Sequence, residues 1–415
     1  MKMPNDFPFA AYVGIDWADR KHDVCLQPAG CDKREWSVLP HQPERIESWA
    51  QQLRERFAGR PIAVCLEIAK GPLVYALQRY DWFVLFPVNP NTLASYRKTF
   101  CVSGAKDDPT DAEAALELLL THPEKLAILQ PQSGSMRVLQ QLVEQRRMLV
   151  DDVRRITNRL TDALKQYFPQ VLDWFKDKDT RVFCDFLSQW PTLKQAQRAR
   201  KTRLSTFFRE HNVRYPNVIE QRIEAIRTAS PLTSDPSVIA SYRLLVEALA
   251  QQLRVLLESV ERFDDQIAVL APTLPDYSLF AALPGAGPVF APRLLAAFGE
   301  QRERFQCATQ LQSYVGIAPV TERSGNQCWV HWRLQCPKFL RQTFVEWAAL
   351  SIPHCYWAGA YYRRQRERGS SHQAALRALA FKWTRILYRC WQQRTPYDET
   401  TYLNSLKRRG SPLMN

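Results

Sequence analysis

The chain has no Cys-x-x-Cys pair and no Cys/His set at zinc-site spacing, although it holds ten cysteines and seven histidines. That excludes the common structural zinc folds. Cys328 and Cys336 are close, but no second pair accompanies them, so all ten read as reduced, mostly buried thiols. Long apolar runs are missing too, and nothing approaches the roughly 20 residues of a membrane span. The opening MKMPNDFPFA lacks the apolar core and small-residue cleavage site of a secretory leader. The expectation is a cytoplasmic protein with no membrane partner. Acids are scarce beside bases: 42 Asp and Glu face 56 Lys and Arg, leaving a net charge of +14. Such a surplus favours a polyanion, with nucleic acid first in line. Charge alone does not separate that partner from a merely basic surface.

What is present argues for well-packed domains. Apolar residues make up 46% of the chain, with 12 Trp and 20 Phe. A length of 415 residues suits two or three domains.

Residues 1–130 alternate strand and helix patterns. Phe9 to Asp16, Asp23 to Leu26 and Trp36 to Leu39 read as three strands, and residues 43–57 as a helix. Ile62 to Leu66 is a short buried strand closed by Glu67; Gly71-Pro72 opens a helix, and Trp82 to Val88 is another strand. Asp111 to Leu120 is an Ala/Leu/Glu-rich helix. Three close strands suit an antiparallel meander, and the later ones need helical crossovers, a ribonuclease-H-like α/β layout. Residues 131–275 read as long amphipathic helices paired as a coiled coil, from Leu142, Leu149, Val153, Ile156 and Leu160 and again from Leu249 to Leu270. A helical subdomain at about 170–235 is inserted between them. Residues 276–415 form a mostly helical third domain.

Several acids could gather at one place. Asp16 ends the first strand and Glu67 the fourth, which neighbour each other in this layout. Asp108 and Asp111 stand three apart around Pro109, a good first-turn residue, so they share a helical face. Four acids from three elements suit divalent metals such as Mg²⁺, which activate attacking and stabilise leaving oxygens in phosphodiester chemistry. Each acid alone has a simpler reading: Asp108 is a good helix cap, and Asp107 is an equally available ligand. Basic residues that could meet a nucleic-acid backbone are Arg146, Arg147, Arg154 and Arg155 on the first long helix, Arg198, Arg200 and Lys201 in the insert, and Arg323, Arg333, Lys338 and Arg341. Solvated helix faces explain such charges equally well. Leu283-Pro284-Gly285-Ala286-Gly287-Pro288 suits a hairpin before a helix, with N–H groups able to face a phosphate.

These features resemble the transposases of the IS110/IS1111 insertion-sequence family. Tyr12-Val13-Gly14-Ile15-Asp16-Trp17-Ala18 is similar to the family's Y-x-G-I-D-x-A, and Lys106-x-Asp108-x-x-Asp111-Ala112 to its K-x-D-x-x-D-A. Leu283 to Pro288 is similar to P-G-I-G-P; Tyr314-Val315-Gly316-Ile317-Ala318-Pro319 with Arg323-Ser324-Gly325 is similar to A-G-L-x-P…S-G. Two departures stand out: the glycine after Glu67 is shifted by one, to Gly71, and the insert lengthens the chain. The resemblance implies a RuvC-like domain with catalytic, metal-binding Asp16, Glu67, Asp108 and Asp111, and a C-terminal domain with Ser324 as nucleophile. It also implies DNA donor and target partners, a noncoding guide RNA and a tetramer that joins the acids of one protomer to the serine of another. Without the resemblance, Ser324-Gly325 reads as a turn; His331 could serve as a general base, but reads first as a partly buried structural histidine. The competing functions are a RuvC-like nuclease or junction resolvase without serine chemistry, and a non-catalytic nucleic-acid-binding protein.

Overall fold

The computed structural model describes residues 9–100, 108–213, 215–411 and 413, without the side chains of Phe100 and Asp108. The chain divides into two units, 1–131 and 132–415.

In the first unit, strands β1 (Ala11–Asp16), β2 (Lys21–Pro28) and β3 (Glu35–Pro40) precede α1 (Pro43–Arg56); then come β4 (Ile62–Leu66), α2 (Pro72–Leu77), β5 (Phe83–Pro87), α3 (Pro90–Phe100) and α4 (Asp108–Thr121). The sheet order is β3-β2-β1-β4-β5. β1 pairs antiparallel with β2 and parallel with β4, so the meander and the helical crossovers are both as expected. Side chains alternate across the sheet. Val13, Ile15, Val24, Val64 and Leu66 pack with Ile46 and Leu53 of α1 and Leu73 and Leu77 of α2. Ala63, Cys65 and Phe86 face the other way, against Leu93 of α3 and Ala115 and Leu119 of α4. Three layers result: helices, sheet, helices. The expected order lacks α3. Helix α4 starts at Asp108, three residues before the expected Asp111; Asp107 lies outside the described residues.

The second unit is mostly helical. Helices α5 (Gly134–Lys165) and α11 (Pro236–Leu270) flank five short ones: α6 (Val171–Trp174), α7 (Arg181–Gln189), α8 (Leu193–Arg198), α9 (Lys201–Glu210) and α10 (Pro216–Thr228). Met136, Leu139 and Val143 near the start of α5 share a core with Ile267 near the end of α11. Leu160 and Leu164 near the end of α5 share another with Val246 and Leu249. The two long helices are therefore an antiparallel pair. Residues 170–235 extend that second core with aromatic side chains: Phe175, Phe183, Phe186, Trp190, Phe207 and Phe208 are buried in the same cluster as Leu160, Leu164, Val246 and Leu249.

After α11 come α12 (Tyr277–Ala281), α13 (Gly287–Phe298), α14 (Ala308–Tyr314), the hairpin β6 (Val320–Ser324) and β7 (Gln327–His331), then α15 (Lys338–Ser351), α16 (Tyr356–Glu367), α17 (His372–Gln393) and α18 (Glu399–Arg408). Trp347, Trp357, Trp383 and Trp391 fill their common core. Gly285, at φ +71°, sits where a Cβ would lie 2.6 Å from the Leu350 carbonyl oxygen, so this glycine serves close packing. Among the described cysteines Cys31, Cys307 and Cys328 are exposed, which corrects the reading of them as buried thiols. No helix among the described residues is long and apolar enough to cross a membrane.

Candidate active site

The register brings the first two acids together. Ile15 pairs with Leu66 across parallel β1 and β4, so Asp16 and Glu67 are the next residues along neighbouring strands. Gly14 and Asp16, like Cys65 and Glu67, fall on the sheet face covered by α4. Burial first, and then the Glu67 charge, pushes the Cys65 thiol up to about 12, so it stays protonated beneath the carboxylate.

Gly14 explains why α4 can lie so close. A Cβ at this position would stand 2.0 Å from the Ala112 carbonyl oxygen and 2.5 Å from the Leu116 nitrogen. Only glycine lets the helix backbone rest on the strand two residues before Asp16. Ala112 and Leu116 also pack on Cys25, and Leu119 packs on the same face of the sheet in a cluster that includes Phe9 and Tyr12, around the start of β1. Helix α4 therefore runs back along β1, with its N-terminal end, and hence Asp108 and Asp111, towards the Asp16 end of the strand. Arg34 at 2.5 Å from Glu113 and 3.5 Å from Glu117 pins the helix from the β2–β3 connection.

Asp111 is buried, and its carboxylate is ion-paired to Arg97 of α3, itself only 15% exposed. The pattern gave no sign of Arg97, because α3 was not expected. Asp23 is a second unforeseen residue. It lies directly opposite Asp16 in the β1–β2 register and is buried on the same face. Its signal was an acid directly before the apolar run Val24-Cys25-Leu26. Among the described residues no three His, Cys, Asp or Glu side chains converge closely enough to hold a metal. The Asp108 side chain lies outside the described residues, and the Asp111 carboxylate is turned to Arg97.

Behind Asp16 the turn into β2 is held by His22. The Ala18 N–H donates to His22 Nδ1 at 3.3 Å, which places the proton on Nε2, 2.9 Å from His41 Nδ1. Burial, reinforced by His41, lowers the His22 pKa to about 4, so the ring is neutral. Gly71, at φ +142°, opens α2 after the Glu67 loop in backbone that suits glycine alone.

Ser324 ends β6 at the tip of a two-stranded hairpin whose residues are almost all exposed. Gly325, at φ +56°, takes the first turn position and suits the backbone of a type II′ turn. Glu322, Trp329 and His331 share the serine's face, with His331 Nε2 at 3.4 Å from Glu322. His331 is 52% exposed, which overturns its reading as a partly buried structural residue; the two-stranded ribbon has no layer above it. The base of the hairpin, by contrast, is clamped. Arg333 donates to the Ala318 carbonyl at 3.0 Å, Arg341 to the Arg333 carbonyl at 2.8 Å, and Cys336 fills the space a Cβ on Gly316 would need.

The other basic residues divide into two groups. Arg146 is paired with Asp264, and Arg147, only 11% exposed, with Asp151 and Glu346. Arg154 and Arg155 are exposed but sit beside Asp151 and Asp152. Lys201 lies 3.8 Å from Glu220. Arg198, Arg200, Arg323 and Lys338 are exposed, with no ion pair to a described residue.

Residues 13–169 match the IS110-type DEDD domain, described as Transposase, and residues 277–363 match the domain described as "Transposase IS116/IS110/IS902 family". The "Mini-circle putative transposase for IS117" of Streptomyces coelicolor is 28% identical over 94% of this chain and 95% of its own length. The "Insertion element IS110 uncharacterized 43.6 kDa protein" of the same organism is 26% identical over 93% of this chain and 95% of its own. The "Pilin gene-inverting protein" of Moraxella bovis is 29% identical over 34% of this chain and 46% of its own. An acid-edged sheet and these two matched domains define the class: a DNA transposase, an enzyme of insertion-sequence recombination. Within that class the chain belongs to the IS110 family. The DEDD designation implies a divalent-metal-dependent, nuclease-like domain.

Proposed function

We propose that this transposase cuts and rejoins DNA through a phosphoserine at Ser324, assisted by Mg²⁺ at Asp16, Glu67, Asp108 and Asp111. The observation that carries the reading is the register of β1 and β4, which sets Asp16 and Glu67 side by side under the helix bearing Asp111. The β3-β2-β1-β4-β5 order supports an RNase H-like, RuvC-like domain. The donor set fits the ion. All four ligands are carboxylates, which suits a hard cation better than zinc; a metal at Asp111 would share that carboxylate with Arg97. When bound, the metal would polarise the scissile phosphate.

The rest of the chemistry belongs to the chain and the DNA. Ser324 Oγ attacks phosphorus: the P–Oγ bond forms, the bond to the 3′ oxygen breaks, and that oxygen leaves with a proton as a free 3′-hydroxyl. The 5′-phosphate stays on the serine. A 3′-hydroxyl from the partner strand then displaces Ser324, and the proton returns to Oγ. One ester replaces another at each step, so no ATP is needed. Arg323, in β6 beside Ser324, and Lys338, shortly after the hairpin in sequence, are exposed, which supports a role in neutralising phosphates. A noncoding guide RNA that pairs with donor and target DNA, and a tetramer in which acids and serine come from different protomers, complete the reading by family resemblance. A recombination assay with purified protein, donor and target duplexes, element-derived RNA and Mg²⁺ tests it. Joined product that requires every component is the expected result. Strand cutting with free ends and no joined product would instead identify a resolvase-like nuclease.

A further inference from the structure

Between Tyr356 and Ser411 the sequence holds twelve Lys and Arg against three acids, so this segment alone carries nine of the chain's net fourteen positive charges. It comprises α16, α17 and α18. Two of its three acids are already engaged. Glu399 accepts from the Tyr356 N–H at 2.8 Å, and Asp398 caps α18 through the Thr400 N–H at 2.9 Å. None of the twelve cations makes an ion pair with a described residue.

Packing concentrates these charges. Trp357, Trp383, Tyr397 and Tyr402 lock the three helices together, with the Trp357 indole donating to the Tyr397 hydroxyl at 2.7 Å. Lys382 lies over the rings of Trp357 and Tyr361, at 5.1 and 4.7 Å. Burial raises the Tyr402 phenol to about 12, and the positive charges of Arg409, just after α18, and Arg385, on α17, oppose that rise. Arg385 and Arg389 are exposed one turn apart on α17, and Arg408 and Arg409 are exposed at the end of α18. Aromatic faces offset part of the repulsion at Lys382. The exposed arginines have no such relief, and like charges held together without counter-ions repel one another.

We propose that α16–α18 form a contact surface for the phosphate backbone of duplex DNA, lying almost wholly beyond the matched C-terminal transposase domain, which ends at residue 363. A duplex backbone supplies regularly spaced negative charge, and DNA is what a transposase acts on. Flexible arginines around aromatic packing residues suit phosphates and positioning, not the reading of bases.

The test uses the full chain in metal-free buffer, with fluorescence anisotropy on a labelled duplex of about 30 base pairs across a range of KCl. The variant Arg385→Gln/Arg389→Gln/Arg408→Gln/Arg409→Gln should bind at least tenfold more weakly near physiological salt. Its plot of log affinity against log salt should be shallower by about 3 to 4, since each lost phosphate contact removes about 0.9. All four positions are exposed, so thermal unfolding should be unchanged. If that variant fails to fold, Arg408→Gln/Arg409→Gln alone should give about half the change in slope. Unaltered affinity and slope in a folded variant would overturn the proposal. So would a loss confined to a structured RNA of equal length, which would make this an RNA surface.

Discussion

Asp16 ends a strand bonded on both sides, beneath a helix that touches Gly14; Ser324 ends a strand with one neighbour and nothing above it. In the first place register, a glycine contact and a buried ion pair position Asp16, Glu67 and Asp111. In the second the chain clamps the base of a hairpin and leaves its tip in solvent. Preorganisation suits groups that hold a cation, where a shift of one ångström is costly. On the proposed mechanism, a nucleophile offered on an exposed ribbon can meet DNA first and be aligned by it. Substitutions in the two regions should therefore separate stability from activity.

The largest expected effect is on activity. Asp16→Ala and Ser324→Ala should each reduce recombination by a factor of roughly a thousand or more, as losing a nucleophile or its electrostatic support does elsewhere. Ser324→Ala should leave stability within about 0.5 kcal/mol, because the side chain is exposed; urea unfolding checks this. Next in size is Arg97→Ala. It strands a buried carboxylate at Asp111 and should cost about 3–5 kcal/mol in metal-free buffer. Mg²⁺ should recover part of that loss, and a loss indifferent to Mg²⁺ would argue against metal at Asp111. Gly14→Ala should cost about 1–3 kcal/mol or more by pushing α4 off the sheet, with activity falling further than stability.

The smallest effect is a pH dependence confined to the first region. His22 has a folded pKa of about 4, below its ordinary 6.5, so the folded state binds fewer protons than the unfolded chain. Its contribution is fully present above about pH 6.5 and is lost as pH falls through 4. His22→Gln should flatten the stability profile across that window, and an unchanged profile would show that His22 does not set it.

The contrast also explains what could be read in advance. Strands β1, β2, β4 and β5 are half- or fully buried, so their apolar patterns stand out, and Asp16 and Glu67 mark where two of them end. The β6–β7 ribbon is exposed on both faces, so it has no alternation to find; Ser324 was recognised only through its motif. Asp23 and Arg97 needed pairing partners that no local pattern specifies: the β1–β2 register for one, and the placement of α3 against α4 for the other. Gly14 could be seen as part of a motif, but its reason, the Ala112 carbonyl 2.0 Å from where a Cβ would stand, exists only once the helix is docked. The inward pairing of Arg146 and Arg147 is hidden for the same reason, since Asp264 and Glu346 lie far along the chain.

The most direct measurement concerns the exposed serine. Protein incubated with cognate DNA, RNA and Mg²⁺, then denatured and digested, should yield a peptide spanning Arg323-Ser324-Gly325 that carries a nucleotide on the serine oxygen, identified by mass spectrometry. Ser324→Ala should yield no adduct. A nucleotide on another residue, or an equal adduct in Ser324→Ala, would contradict the assignment of Ser324 as the nucleophile.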